Sequence, residues 1–77
     1  MNRSTLQFKI YPVLNRQGVR YIVKENKMFG KYLAYTEGDN FTKTYREDAT
    51  SWSSPDKVVR CLSKAFGDRF TIVDNYL

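Results

Sequence analysis

Histidine is absent from this 77-residue chain, and Cys61 is its single cysteine. One thiol forms no internal disulfide, and without histidine the common zinc spacings, the Cys–His pair and the Ser–His–Asp triad all fall away. No apolar run reaches the roughly 18 residues of a membrane-spanning helix. The first residues, Met1-Asn2-Arg3-Ser4-Thr5, lack the apolar core of a secretory signal, so a cytoplasmic location is expected. Repeats and low-complexity tracts are also missing. Asp39, Asp48 and Asp56 have no metal-binding spacing, and Gly30 and Gly38 lack the strand–loop–helix setting of a phosphate cradle. No metal, cofactor or membrane partner is expected.

Negative charge is scarce in one half only. Residues 1–35 hold seven cations and one anion, Glu25, whereas residues 36–77 hold six cations and seven anions. A split of this kind raises the local potential without helping any fold, and points to an anionic partner. General acid–base chemistry would need two of Glu25, Glu37 and Glu47 in one pocket, and no pattern brings them together. The chain reads as a binding protein and not as an enzyme.

Eleven Phe or Tyr plus Trp52 supply large side chains for one small core, so residues 1–77 form a single domain. A chain this short also leaves room for a homodimer that completes the core. From Thr5 to Leu14, and again from Val19 to Glu25, apolar residues alternate with polar ones, the period of a strand. Pro12 requires a bulge or a free edge. Asn15-Arg16-Gln17-Gly18 is a turn, and a hairpin with Leu14 opposite Val19 collects Leu6, Phe8, Ile10, Leu14, Val19, Tyr21 and Val23 on one face. Lys9, Tyr11, Arg20, Ile22 and Lys24 fall on the other.

A third strand is expected over Lys31–Thr36, with Glu25 facing Lys31, which sends Leu33 and Tyr35 to the apolar side and Tyr32 and Ala34 to the basic side. With Gly38-Asp39 as a two-residue hairpin centre, Thr36 opposes Phe41, and Phe41, Lys43 and Tyr45 join the basic side of a fourth strand over Asn40–Arg46. Glu47–Ser53 reads as a loop containing Trp52, which packs toward Val59 or the sheet. Ser54 as N-cap, Pro55 at the first helical position and Asp56 in the first turn start a helix. Val58, Val59, Leu62, Ala65 and Phe66 give it an apolar stripe shared by Cys61, an inert buried thiol, and Gly67 ends it. Phe70–Val73 is a last short strand, and 74–77 a tail.

The expected fold is therefore α+β: a four-stranded antiparallel meander packed on one helix in two layers, with a short C-terminal strand, ββββαβ. Its uncovered face offers cations for phosphates among rings for bases. Lys9, Tyr11, Arg20, Lys24, Lys31, Tyr32, Lys43 and Tyr45 are the candidate partner or nucleic-acid contacts. Lys57, Arg60 and Lys64 mark the solvent side of the helix and come second.

The run Gly18-Val19-Arg20, Gly30-Lys31-Tyr32 and Thr50-Ser51-Trp52-Ser53-Ser54-Pro55-Asp56-Lys57-Val58-Val59 resembles the β-β-β-α layout of AP2-type and integrase-arm DNA-binding domains. That resemblance implies contacts from Arg20, Lys24, Lys31 and Tyr32. Val58-Val59 departs from the small alanines of that family's helix, as does the strand after it. In its size, and in Tyr/Lys-rich strands followed by one helix, the whole chain resembles the short accessory proteins of tailed bacteriophages. This implies a modulator or inhibitor in the host cytoplasm that binds a host nucleic-acid-handling or defence protein through the basic face. Direct RNA or DNA binding by the same face is the alternative, and a structural subunit of an assembly the third reading.

Overall fold

The computed structural model describes residues 6–73; the expectations for 1–5 and 74–77 lie outside the described residues. The strands are β1 (Leu6–Asn15), β2 (Gly18–Glu25), β3 (Tyr32–Thr36), β4 (Asn40–Thr44) and β5 (Phe70–Ile72). A helix, α1 (Pro55–Phe66), lies between β4 and β5, and a 3-10 turn, Arg46–Asp48, precedes it. The sheet order is β4-β3-β2-β1-β5, antiparallel except where β5 runs parallel to β1. This is the expected ββββαβ architecture.

The β1–β2 register follows the turn chemistry. Gly18 takes a φ of +105°, Gln17 donates its backbone N–H to Asn15 Oδ1 at 2.8 Å, and Leu14 pairs with Val19. Pro12 pairs with Tyr21, whose backbone N–H and carbonyl both turn away from β1 to bond Trp52 at 2.9 Å. The backbone of Pro12 must likewise face away from β2. There β1 has lost its other neighbour, because β5 pairs only with Leu6–Phe8, and the missing N–H costs no ladder bond.

One side of the sheet meets α1. Phe8, Ile10, Val23, Leu33 and Trp52 pack with Val58 and Leu62 of the helix in one core. Ser54 caps the helix by accepting the Lys57 N–H, Pro55 opens it, and Gly67 at φ +67° closes it with its N–H on the Ser63 carbonyl. Cys61 and Phe66 are half-buried against the core, whereas Val59 faces outward at 36% exposure. Trp52 accordingly packs on the sheet and not toward Val59.

Two expectations about faces are corrected. Leu14 and Val19 lie on the helix side, yet are 81% and 50% exposed, because the hairpin tip runs past the helix end. The second concerns β4. The loop is Glu37-Gly38-Asp39, three residues with φ of +80° at Gly38 and +59° at Asp39, so Thr36 pairs with Asn40 and Tyr35 with Phe41. This one-residue difference moves Phe41 and Lys43 to the helix side. The gain is aromatic packing: Phe41 stacks on Phe66 at 5.8 Å between ring centroids and meets Tyr35 at 5.1 Å and Trp52 at 6.2 Å. Tyr35 also donates its hydroxyl to the Asp39 carboxylate, tying the loop to the strand.

Between β2 and β3 the ladder holds only at Lys24–Tyr32. Where further pairs would follow, Thr50–Trp52 enters. Thr50 donates its N–H to the Leu33 carbonyl at 3.2 Å, its hydroxyl accepts the Tyr35 N–H at 2.8 Å, and Trp52 exchanges both bonds with Tyr21. The sheet curls around this wedge. At its closed end the Asn26–Gly30 turn packs Gly30 against the backbone of Glu25, with no room for a Cβ. Gly30→Ala should therefore destabilise the protein by about 1–3 kcal/mol in urea unfolding, as for overpacked sites; an unchanged midpoint would refute the close approach.

Candidate functional site

The face of the sheet opposite α1 gathers the candidate residues by register. Lys9 pairs with Lys24, and Lys24 with Tyr32, so the three lie in one row across β1, β2 and β3. Tyr11 and Ile22 form the adjacent row, and Val13 and Arg20 the next. The positions of β3 and β4 that share this face are Tyr32, Ala34, Thr36, Asn40, Thr42 and Thr44. No carboxylate occupies any of these strand positions.

Two lysines placed directly across a pair of strands repel one another, a cost of a few tenths to about 1 kcal/mol. Each leans over a tyrosine. Lys9 Nζ sits 5.5 Å from the centroid of Tyr11, and Lys24 Nζ 5.3 Å from that of Tyr32. Such contacts contribute about 0.5–1 kcal/mol at exposed sites. With strands about 4.8 Å apart and a rise of about 3.3 Å per residue, Tyr11 and Tyr32 stand about 12 Å apart. That exceeds the 4.5–7 Å of a ring pair, so the two rings address different groups of a ligand.

Arg20 shares the face but is committed elsewhere. Its Nε and NH2 groups donate to Ser51 Oγ at 3.2 Å and to the Ser51 carbonyl at 2.9 Å, which fastens the wedge to β2. Ile22, expected in the open, is buried and floors a groove of about 390 Å³ bordered by Val13, Arg46, Glu47, Ala49 and Ser51. The segment before the helix therefore covers one end of the face. Lys57, Arg60 and Lys64 are exposed on the helix, apart from this face.

Lys43 does not belong to the face. It follows Phe41 to the helix side, where its Nζ lies 3.1 Å from Glu25 Oε2, with Lys27 Nζ at 3.7 Å from the same atom. Glu25 Oε1 accepts the Lys31 N–H at 3.0 Å. The pair closes over an apolar recess of about 190 Å³ lined by Leu6, Phe8, Leu33, Phe41 and Phe66. Desolvation there pushes the Glu25 carboxyl upward. The Lys31 hydrogen bond and the Lys43 and Lys27 charges oppose it and prevail, holding the carboxyl below its ordinary 4.5.

Lys31 and Tyr45 lie beyond the central row. Tyr45 leaves β4 at its end and, with Phe29, Gly30, Lys31, Tyr32, Thr44 and Arg46, lines a groove of about 350 Å³. Phe29 is 87% and Tyr45 71% exposed. Phe29 and Arg46 escaped the sequence reading; the signal that would have found Phe29 is an apolar pair, Met28-Phe29, inside a turn otherwise built of polar residues and glycine.

Glu25 makes acid stability testable. A carboxylate with a lowered folded pKa stabilises fully above its unfolded value, and that contribution fades as pH falls through the folded one. Glu25→Gln, whose amide oxygen still accepts the Lys31 N–H, should cost about 1 kcal/mol at pH 7. The gap to the wild type should shrink below pH 4.5. A gap in urea unfolding that stays constant from pH 7 to pH 3 would contradict this assignment. Comparison with known protein families, with curated proteins and with solved structures finds no match to this chain.

Proposed function

We propose that this chain is a non-enzymatic binding protein that holds single-stranded nucleic acid on the sheet face opposite α1. The observation that carries the reading is the Lys9–Lys24 pair, each lysine beside a tyrosine ring, on a face whose described strand positions hold no carboxylate. Phosphates would draw Lys9 and Lys24 off the rings and relieve their mutual repulsion. The freed faces of Tyr11 and Tyr32 would then stack on two bases, each contributing about 1–3 kcal/mol. A broad, shallow, curled sheet suits splayed single-stranded bases better than the groove of a duplex.

A protein partner on this face would have to present carboxylates to the same two lysines. Purification of the chain's partners with and without nuclease separates the two cases, because partners held through nucleic acid are lost on digestion. A host nucleic-acid-handling protein of the kind expected from the sequence would then be reached through its RNA or DNA.

Binding of a labelled oligouridylate or oligothymidylate should weaken steeply with salt. Lys24→Gln should flatten the slope of log K against log salt by about 0.7, the value for one phosphate contact on a single strand. Tyr11→Ala and Tyr32→Ala should each weaken binding about tenfold while leaving the salt slope unchanged. Failure of the wild type to bind either oligonucleotide at low salt would sink the proposal.

A further inference from the structure

The groove at the β2–β3 turn adjoins the proposed face through a shared residue. Tyr32 completes the Lys9–Lys24 row and also lines the groove, with Phe29 and Tyr45 exposing their rings and Lys31 and Arg46 beside them. None of the seven lining residues is acidic, whereas the groove over Ile22 includes Glu47. Glu47, next to Arg46 in sequence, lines the other groove, and Glu25 is occupied on the helix side by Lys27, Lys43 and the Lys31 N–H. The groove is thus aromatic, free of acids among its lining residues and continuous with the central row through Tyr32, while the other, which reaches the face through Ile22 and Val13, carries Glu47.

We infer that this groove is a further nucleobase subsite, which takes the next base of a bound single strand between Phe29 and Tyr45 with Lys31 and Arg46 on the flanking phosphates. The inference rests on the sheet-face reading and extends it. A large exposed ring in a short turn earns nothing for folding, since it keeps its apolar surface in water. Stacking on a base covers that surface, and any base suffices because each has a π-face. The turn carrying Phe29 is tied by Gly30 N–H on the Lys27 carbonyl at 3.0 Å and by the Glu25–Lys31 bonds, which lowers the cost of ordering it on binding. A strand crossing the β1–β2–β3 row therefore leaves the sheet over Tyr32 and ends in the groove, so that site size exceeds what Tyr11 and Tyr32 alone would give.

The test is length dependence. Fluorescein-labelled oligothymidylates of four and of ten nucleotides are titrated by anisotropy against the wild type, Phe29→Ala/Tyr45→Ala and Tyr11→Ala/Lys24→Gln. Both replaced groove rings are largely exposed, so folding should be unaffected, and thermal melting checks that. The groove variant should lose about tenfold or more on the ten-mer and less than twofold on the four-mer. The sheet variant should lose on both. Equal losses of the groove variant on both lengths, or none on the ten-mer, would overturn the subsite while leaving the sheet face standing. No binding of either oligonucleotide by the wild type would overturn both. So would binding of an oligoglutamate in their place with the same Phe29 and Tyr45 dependence, which would assign the groove to an acidic protein partner.

Discussion

The exchange of two backbone hydrogen bonds between Tyr21 and Trp52 governs the shape of this molecule. It occurs on the edge of β2 that β3 would otherwise occupy, so a continuous meander is split over most of the β2–β3 boundary. The indole is buried with Tyr35 and Phe41 close to it, on the helix side, while the chain on either side of Trp52 does separate work. After it, Ser54 caps α1, so the wedge fixes where the helix starts. Before it, Ser51 receives Arg20, and the approach segment covers Ile22. A buried aromatic of this size adds a large apolar surface to the core, while the bonds that Tyr21, Leu33 and Tyr35 do not make across the β2–β3 boundary are supplied by Trp52 and Thr50.

Glu25 closes the other end of the split. It is the only carboxylate of residues 1–35 and stands beside the one point where β2 and β3 remain paired. By lying on the helix side it serves the fold, gathering Lys27, Lys43 and the Lys31 N–H, and leaves the opposite face to cations and rings. The charge asymmetry of the sequence is thus converted by strand alternation into an asymmetry between the two faces of a sheet. A net excess of cations alone would not do this. The position of the single acid within the period-two pattern does.

Where local chemistry determines geometry, the fold was legible in the sequence. Asn15–Gly18 sets the first hairpin, Glu25 and Lys31 face one another as expected, and Ser54-Pro55 and Gly67 bound the helix. The row Lys9, Lys24, Tyr32 follows from those registers, so the centre of the candidate site could be read directly. The fourth strand was misread because Gly38-Asp39 fits two turns, of two and of three residues. Burial of Phe41 against Phe66 and Trp52 chooses between them, and those contacts lie far away in sequence. The engagement of Arg20 was not legible for a related reason: its partner Ser51 is 31 residues away and belongs to a segment that carries no strand pattern. Alternation also says which side a residue faces but not where the covering layer stops, and so Leu14 and Val19 emerge exposed while Ile22 is sheltered.

These departures move the candidate site and do not merely shrink it. The three-residue loop withdraws Lys43 and Phe41 from the far side of the face, and Ser51 withdraws Arg20 from the hairpin end. Cations and exposed rings are then concentrated along Lys9, Lys24 and Tyr32 toward the β2–β3 turn, where Lys31, Phe29 and Tyr45 stand. The same Phe41 that strengthens the core by leaving the face delivers Lys43 to Glu25, and Glu25 in turn braces the turn that presents Phe29. Core packing, the half-buried Glu25 and the exposed aromatic edge are linked by one register, so a change in the loop length at Gly38 would disturb all three together.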